Sequence, residues 1–228
     1  MFTKYIRQKY FKKKFEEWNK ESKEELQKIR NQKNIFGETP ELLLREGDYL
    51  IYSNDFENGI NTYKKILEKE DIPKEIKVRV YSKIANLTRN IDYMNKAIQS
   101  NRSLENLYNR ATILMDLDHI NPNDELLAMA DSDLNECIEK NPDFYPFYTL
   151  RSIERLLRGD EKGFSSDVIE SFSKASIINY EYDDYFVKWK DILKKMNDKK
   201  IIKSTKKEIK KIVRKKNIDY IKWYLSLF

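Results

Sequence analysis

The sequence contains little of the residue types that build disulfide-bonded, zinc-binding or β-sheet proteins. Its 228 residues include one cysteine and one histidine, so it offers no internal disulfide and no histidine pair or cysteine cluster for zinc. Glycine and proline number five each, too few for a turn-rich β-sandwich or a disordered linker protein. No run approaches the roughly 18 apolar residues that a membrane span requires. We therefore expect no metal, no cofactor and no transmembrane segment, and a cytoplasmic location.

The net charge of +6 conceals a separation of charge along the chain. Residues 1–34 carry 11 Lys/Arg and 5 Glu, and residues 197–228 carry 11 Lys/Arg and 3 Asp/Glu. The centre, residues 35–196, carries 22 basic and 30 acidic residues, a net charge of −8. Because partners respond to local fields within a Debye length, this acidic centre predicts a protein partner that is basic or of mixed charge.

Hydrophobic periodicity indicates helices throughout the chain. Apolar residues recur at helical steps from Met1 to Asn34, which predicts one amphipathic helix. Turn signals divide the rest into helix pairs, and no alternating pattern predicts a strand. We expect loop insertions at 118–125 and 160–166. The predicted later helices are Glu41–Tyr52, Phe56–Lys69, Pro73–Leu87, Ile91–Ser100, Leu104–Leu117, one from Pro122 to Lys140, Asp143–Leu157, Asp167–Asn179 and Asp183–Asn197.

In several of these pairs, the second helix carries packing residues at the same spacing. Gly59, Tyr63 and Ile66 follow one another at steps of four and three, which places a small, a large and an aliphatic residue on one helix face. Such a face suits close packing on the preceding helix. The same order appears twice more, 38 residues apart, in Ala130, Leu134, Cys137 and Pro142 and in Val168, Phe172, Ala175 and Tyr180.

This pattern resembles the tetratricopeptide repeat, a helix–turn–helix unit of about 34 residues. Gly47 stands where that family has the small residue of its first helix, and Asn54-Asp55-Phe56 resembles its turn. The resemblance covers about residues 41–180. It implies an all-α, right-handed solenoid of helical hairpins with additional N- and C-terminal helices. The resulting domains are a basic amphipathic helix (1–36), the repeat domain with a capping helix (37–197) and a basic C-terminal segment (198–228).

The resemblance also implies a non-catalytic protein that binds a partner protein or peptide on the solenoid surface. Tyrosine and arginine are among the side chains that most often dominate binding energy at protein interfaces. The candidate partner-binding residues are therefore Tyr108, Arg110, Tyr145, Tyr148, Arg151, Tyr182 and Tyr185.

No cluster of side chains predicts catalysis. His119 has an acidic neighbour but no second ligand or nucleophile that the sequence places near it, so we interpret it as a loop residue. Cys137 occupies an alanine-like packing position without a basic neighbour to activate its thiol, which predicts a buried small residue. Asp131, Asp133 and Glu136 are expected on a solvated helix face. The chain is accordingly not expected to be an enzyme.

The C-terminal segment predicts a basic amphipathic helix, in which Ile202, Ile209 and Ile212 share one face. Such a helix is compatible with binding to nucleic acid, to a membrane surface or to an acidic protein face. Met1–Phe15 has no acidic residue, which is also compatible with an organelle presequence or a surface-lying membrane helix. The basic residues proposed to bind are Lys206, Lys207, Lys210, Lys211, Arg214 and Lys215.

Two further functional hypotheses are alternatives to the protein-interaction module. Irregular repeats suit a single dedicated partner, so the chain is also compatible with an immunity protein that neutralises a toxin. A nucleic-acid-associated adaptor that uses the basic C-terminal helix is the third hypothesis, and it predicts a steep salt dependence. The sequence leaves the partner and the oligomeric state open.

Overall fold

The computed structural model describes residues 20–174 and 198–216, without the side chains of 213–216. Within these residues all regular secondary structure is helical, which confirms the all-α prediction for this part of the chain. The predicted helix Asp183–Asn197 and residues 1–19 of the predicted N-terminal helix lie outside it. The described helices are α1 (20–36), α2 (Pro40–Tyr52), α3 (Phe56–Leu67), α4 (Lys74–Thr88), α5 (Ile91–Ser100), α6 (Leu104–Ile120), α7 (Asp124–Lys140), α8 (Tyr145–Leu157), α9 (Glu161–Lys174) and α10 (Lys199–Lys216).

The chain forms two compact units, Met1–Arg102 and Ser103–Phe228, which we call the N-terminal and C-terminal units. In the N-terminal unit α2 packs on α3, α3 on α4 and α4 on α5. In the C-terminal unit α6 packs on α7, α7 on α8, α8 on α9 and α9 on α10. Packing between consecutive helices is the arrangement of a helical repeat. The unit boundary falls inside the predicted domain 37–197. The N-terminal core comprises Leu43, Leu44, Tyr63, Ile66, Ile76, Val80 and Ile84.

Polar side chains fix where several helices begin. Thr39 precedes Pro40, and its hydroxyl accepts a hydrogen bond from the Leu42 amide (3.3 Å). Ser103 and Asn123 accept equivalent bonds at the first turns of α6 and α7. Each cap satisfies an amide that has no partner inside its own helix. These caps explain why the sequence predicts the starts of α2, α6 and α7 to within two residues.

The two predicted loop insertions are wrong, because helix occupies most of both. Helix α6 continues to Ile120, so His119 is helical, and only residues 121–123 connect it to α7. The buried Asp118 carboxylate accepts a hydrogen bond from the Asn123 amide (2.7 Å) and closes this short turn. Helix α9 begins at Glu161, where an Asp160 oxygen accepts from the Gly163 amide (2.9 Å) and Phe164 is fully buried. Burial thus overrides the low helix propensity of Gly163.

The small residues of the first hairpin allow α2 and α3 to approach closely. A Cβ atom added at Gly47 would overlap the Tyr63 ring, lying 2.7 Å from its Cδ1. A Cβ added at Gly59 would lie 2.9 Å from Ile51 Cγ1. The Tyr63 ring is buried and its hydroxyl donates to Asp48, so it is held in place. Both glycines are therefore required by packing, at two of the positions that the repeat resemblance singles out.

Replacing Gly47 with valine should destabilise the N-terminal unit by about 2 kcal/mol. Overpacking costs about 1–3 kcal/mol, and valine regains only part of the helix propensity that glycine lacks. Urea unfolding followed by circular dichroism measures the change. Lys64→Val is the control, because Lys64 is exposed in the last turn of α3 and should shift stability by less than about 0.5 kcal/mol. Equal effects of the two substitutions would contradict close packing at Gly47.

Candidate functional site in the C-terminal unit

Two buried aspartates in the C-terminal unit form two-point ion pairs with arginines of the preceding helix. Arg110 of α6 donates from Nε and Nη2 to Asp133 of α7, both at 2.7 Å. Arg151 of α8 donates from the same atoms to Asp167 of α9, at 2.8 and 2.6 Å. Asp133 and Asp167 are each 1% exposed in their side chains. Two parallel hydrogen bonds between charged groups fix both the distance and the relative orientation of the two side chains. Each ion pair therefore connects the two helices of one hairpin.

Arg151 also joins the two hairpins. Its Nη1 donates to Asn135 Oδ1 of α7 (2.5 Å), and Asn135 donates in turn to Asp131 (2.8 Å). Burial lowers the pKa of the Arg151 guanidinium, but the hydrogen bond and charge of Asp167 outweigh burial and raise the pKa above its ordinary value. Arg155 adds a second cation 3.1 Å from the Asp167 carboxylate. The charged side chains of α7, α8 and α9 therefore form one connected network.

The predicted tyrosines of the C-terminal unit pack among these helices. Tyr148 is 7% exposed, the cationic groups of Arg151 (5.7 Å) and Lys174 (5.6 Å) lie over its ring, and its hydroxyl donates to the Pro142 carbonyl (3.0 Å). Tyr145 is also buried. Tyr108 is half-buried and packs against Phe147, with ring centroids 5.8 Å apart. Tyr182 and Tyr185 lie outside the described residues.

Five residues of the predicted partner-binding set lie in the described part of the chain, and they make mainly internal contacts. Arg110, Arg151 and Tyr148 make internal polar bonds that join neighbouring helices and turns. Asp133, expected on a solvated face, is buried instead, which corrects that expectation. The reason is that Arg110 crosses from α6 to meet it, a contact between helices that spacing along α7 does not reveal.

Glu154 of α8 is fully buried without an equivalent partner. Among the residues that the structure describes, neither of its carboxylate oxygens has a hydrogen-bond partner. Arg158 Nη1 lies 3.5 Å from Oε1 on the neighbouring turn. Burial, the largest cause, and the negative charge of Asp131 raise the pKa of Glu154 to about 7, while Arg158 and Arg155 act in the opposite direction. Glu154 therefore changes its charge near neutral pH.

The outer surface of the hairpins α6–α9 is acidic. Residues 103–174 contain 15 acidic and 7 basic residues, a net charge of −8. Most of the basic residues form ion pairs within this segment, including the buried pairs described above. On α7, the exposed Glu125 and Glu139 lie on one helix face with Met129, which is 41% exposed. We call Glu125, Met129 and Glu139 the acidic face.

Helix α10 carries the opposite charge and packs on α9. Residues 199–216 contain ten basic residues and one glutamate, a net charge of +9. Thr205 and Ile209 are buried, and the Thr205 and Ser165 hydroxyls are hydrogen-bonded (2.5 Å). The Asp198 amide donates to Glu161 Oε2 (3.0 Å). Helix α10 therefore packs on an acidic protein surface, that of the C-terminal unit to which it belongs.

The outward side of α10 presents a row of lysines. They recur every three or four residues and, with Ile202, line a groove of about 630 Å³. Arg214 and Lys215 belong to the same predicted basic set, but their side chains lie outside the described residues. We call the six lysines the lysine stripe: Lys199, Lys203, Lys206, Lys207, Lys210 and Lys211.

The side chains that could bind a metal or react as a thiol are characterised by their surroundings. In the described ranges, 20–174 and 198–216, no group of three or more His, Cys, Asp or Glu side chains is arranged to hold a metal ion. Cys137 is buried, as predicted, and its thiol donates to the Leu104 carbonyl (3.5 Å). No helix in the described part of the chain is long and apolar enough to cross a membrane.

Sequence reasoning found the two arginines but missed the buried acids they bind, Asp133 and Asp167, and also missed Glu154. One signal was available: Asp133 and Asp167 each stand one residue from a predicted packing position, Leu134 and Val168. No protein-family model matches the chain, and no curated protein matches its sequence.

Proposed function

We propose that this protein is a non-catalytic, tetratricopeptide-like module that binds a basic or mixed-charge protein. In this proposal the helix hairpins stack with the right-handed sense of that family. The close approach of α2 and α3 at Gly47 and Gly59 supports the resemblance, because the family places small residues at these points of its hairpin. Stacked hairpins form an extended surface, which suits recognition of a protein or peptide.

The observation that carries the proposal is how charge is divided between the interior and surface of α6–α9. Three arginines of this segment, Arg110, Arg151 and Arg155, form ion pairs with the buried aspartates. Other carboxylates remain accessible, and besides the buried Asp133 α7 carries five acidic residues and one lysine. Complementary charge steers association and selects the partner. The acidic face adds an exposed methionine, a residue type enriched at interfaces.

Because of this division of charge, we place the partner-binding contact on the acidic face and not on the predicted tyrosines. Tyr145 and Tyr148 are mostly buried inside the C-terminal unit and offer little area to a partner. Tyr108 keeps part of its ring accessible. We therefore assign the tyrosines and arginines a positioning role, which fixes the hairpins, and assign the partner contact to the acidic face.

The proposal is tested by changing the acidic face and measuring which proteins the chain captures. In the variant Glu125→Lys, Met129→Ser, Glu139→Lys, we expect the proteins bound stoichiometrically from native lysate to be lost, since both charge and contact area are changed. Affinity capture at moderate salt with quantitative mass spectrometry is the measurement. Circular dichroism verifies that the variant retains its helix content.

A matched control is available in the N-terminal unit. Phe56→Ser, Glu57→Lys, Glu68→Lys changes one exposed apolar and two exposed acidic side chains in and next to α3. It has the same net charge as the acidic-face variant, so non-specific effects of charge appear in both. Retention of the same partners by the wild type, the control and the acidic-face variant would refute the proposed contact.

A further inference from the structure

The lysine stripe is a continuous row of positive charge fixed on a folded helix. Its first and last members, Lys199 and Lys211, are separated by 12 residues, which is about 18 Å along a helix axis. Lys211 pairs with Glu208 (2.6 Å), the one acidic residue of α10. Lys203, Lys207 and Lys210 are exposed. The stripe therefore presents several cations, at spacings of one helical turn, to a long and negatively charged ligand.

The orientation of α10 restricts what this ligand is. An amphipathic helix binds a membrane by embedding its apolar side in the lipid. In α10 that side packs largely inside the unit, since Ile209 is buried, as is Thr205 beside its hydrogen-bond partner Ser165 on α9, and Ile202 and Ile212 are half-buried. Ile202 is the one apolar side chain among the described residues that line the lysine groove. Within residues 199–212 no apolar side chain is fully exposed, which favours a polyanion in water over a lipid surface.

The residue types of the stripe distinguish further between polyanions. Protein interfaces are depleted of lysine and enriched in arginine and aromatic residues. Single-stranded nucleic acid is bound by aromatic platforms on which bases stack, and base reading in a groove uses arginine, asparagine or glutamine. Among the residues that the structure describes, the groove along α10 is lined by six lysines and Ile202. Lysine acts as a flexible point charge that suits phosphate.

We propose that the lysine stripe of α10 binds the phosphate backbone of double-stranded nucleic acid without sequence preference. A stripe of about 18 Å spans about five phosphates of one strand, which are spaced 3.4 Å along a duplex axis. This inference goes beyond the proposed function, because it concerns a different ligand on a different helix from the acidic face. The acidic hairpins lie behind α10, and at moderate salt their field is screened beyond about 8–10 Å.

Fluorescence anisotropy of the full chain with a labelled, mixed-sequence DNA duplex of about 20 base pairs tests the proposal at about 50–200 mM salt. The variant Lys203→Gln, Lys207→Gln, Lys210→Gln keeps helix-forming side chains and removes three exposed charges. Each lost phosphate contact should reduce the slope of log affinity against log salt by about one, so three reduce it by about three. At about 100 mM salt this corresponds to roughly hundredfold weaker binding.

The matched control removes three exposed lysines of the N-terminal unit, in Lys64→Gln, Lys65→Gln, Lys77→Gln. It has the same net charge as the stripe variant and should bind the duplex like the wild type. Competition with a second duplex of unrelated sequence should be equally effective. The proposal is overturned by absence of duplex binding at the lowest salt, by equal losses in both variants, or by tighter binding to single-stranded DNA, polyglutamate or phosphatidylserine vesicles. Failure here leaves the capture experiment on the acidic face unaffected.

Discussion

Replacing Asp167 with alanine should destabilise the C-terminal unit by about 3–4 kcal/mol, a larger loss than we expect from Gly47→Val in the N-terminal unit. The Asp167 carboxylate is 1% exposed and balances two guanidinium groups, those of Arg151 and Arg155. Removing one partner of a buried ion pair costs about 3–5 kcal/mol, since the remaining charge stays out of water without compensation. Both arginines keep some solvent contact, which places the expected cost toward the lower end of this range.

Urea unfolding followed by circular dichroism measures this change, and hydrogen exchange of α8 and α9 assigns it to the C-terminal unit. Asp143→Ala is the control, because Asp143 pairs with Lys174 at 3.3 Å while its side chain is 91% exposed. An exposed pair contributes at most about 1 kcal/mol. A double-mutant cycle with Arg151→Met isolates the pair itself. Equal costs for Asp167→Ala and Asp143→Ala would show that burial does not control the energy of these pairs.

The hairpin architecture of the described residues is predictable because its signals are local. Helix α5 is predicted at its observed bounds, Ile91–Ser100, from a polar turn on each side. Spacing singles out Gly47 and Gly59, and the structure gives the reason in the neighbouring Tyr63 and Ile51 side chains. Periodicity and caps act within one helix or one turn, so one sequence contains the information they require.

The charged network is not predictable in the same way, because its contacts join residues of different helices. Arg151 meets Asp167 sixteen residues later and Asn135 sixteen residues earlier. Spacing within α7 suggests only that Asp133 and Glu136 share a face, whereas helix packing buries Asp133 and leaves Glu136 more accessible. A buried acid and an exposed acid look alike in sequence. The distinction arises only when the neighbouring hairpin is placed.

The helix pairs also explain why the two charged surfaces belong to separate helices. Burial of Asp133 and Asp167 uses the arginines of α6 and α8, so the exposed charge of the hairpins becomes mainly acidic. Helix α10 supplies the opposite charge and packs its buried residues on α9. The unit therefore combines an acidic face with a lysine stripe. Its two proposed ligands, a basic protein and a nucleic acid duplex, require these opposite signs of surface charge.

Glu154 predicts that the stability of the C-terminal unit falls as pH rises through neutrality. In the folded unit its pKa is about 7, above the value of 4.5 for an unperturbed glutamate. The folded state therefore holds its proton more tightly than the unfolded state. This contribution to stability is fully present below about pH 4.5 and is lost as pH rises toward 7. A difference of about 2.5 pH units corresponds to about 3 kcal/mol.

The variant Glu154→Gln removes the titration while keeping the size of the side chain. Between about pH 5 and pH 8 the variant should gain about 2–3 kcal/mol relative to the wild type, because only the wild type must bury an ionised carboxylate at the higher pH. Urea unfolding at several pH values measures the difference, in which the titrations of all other groups cancel. Glu139→Gln on the exposed α7 surface is the control, and its stability curve should run parallel to that of the wild type. If the difference between Glu154→Gln and the wild type were the same at both pH values, Glu154 would not be the group that couples folding of this unit to pH.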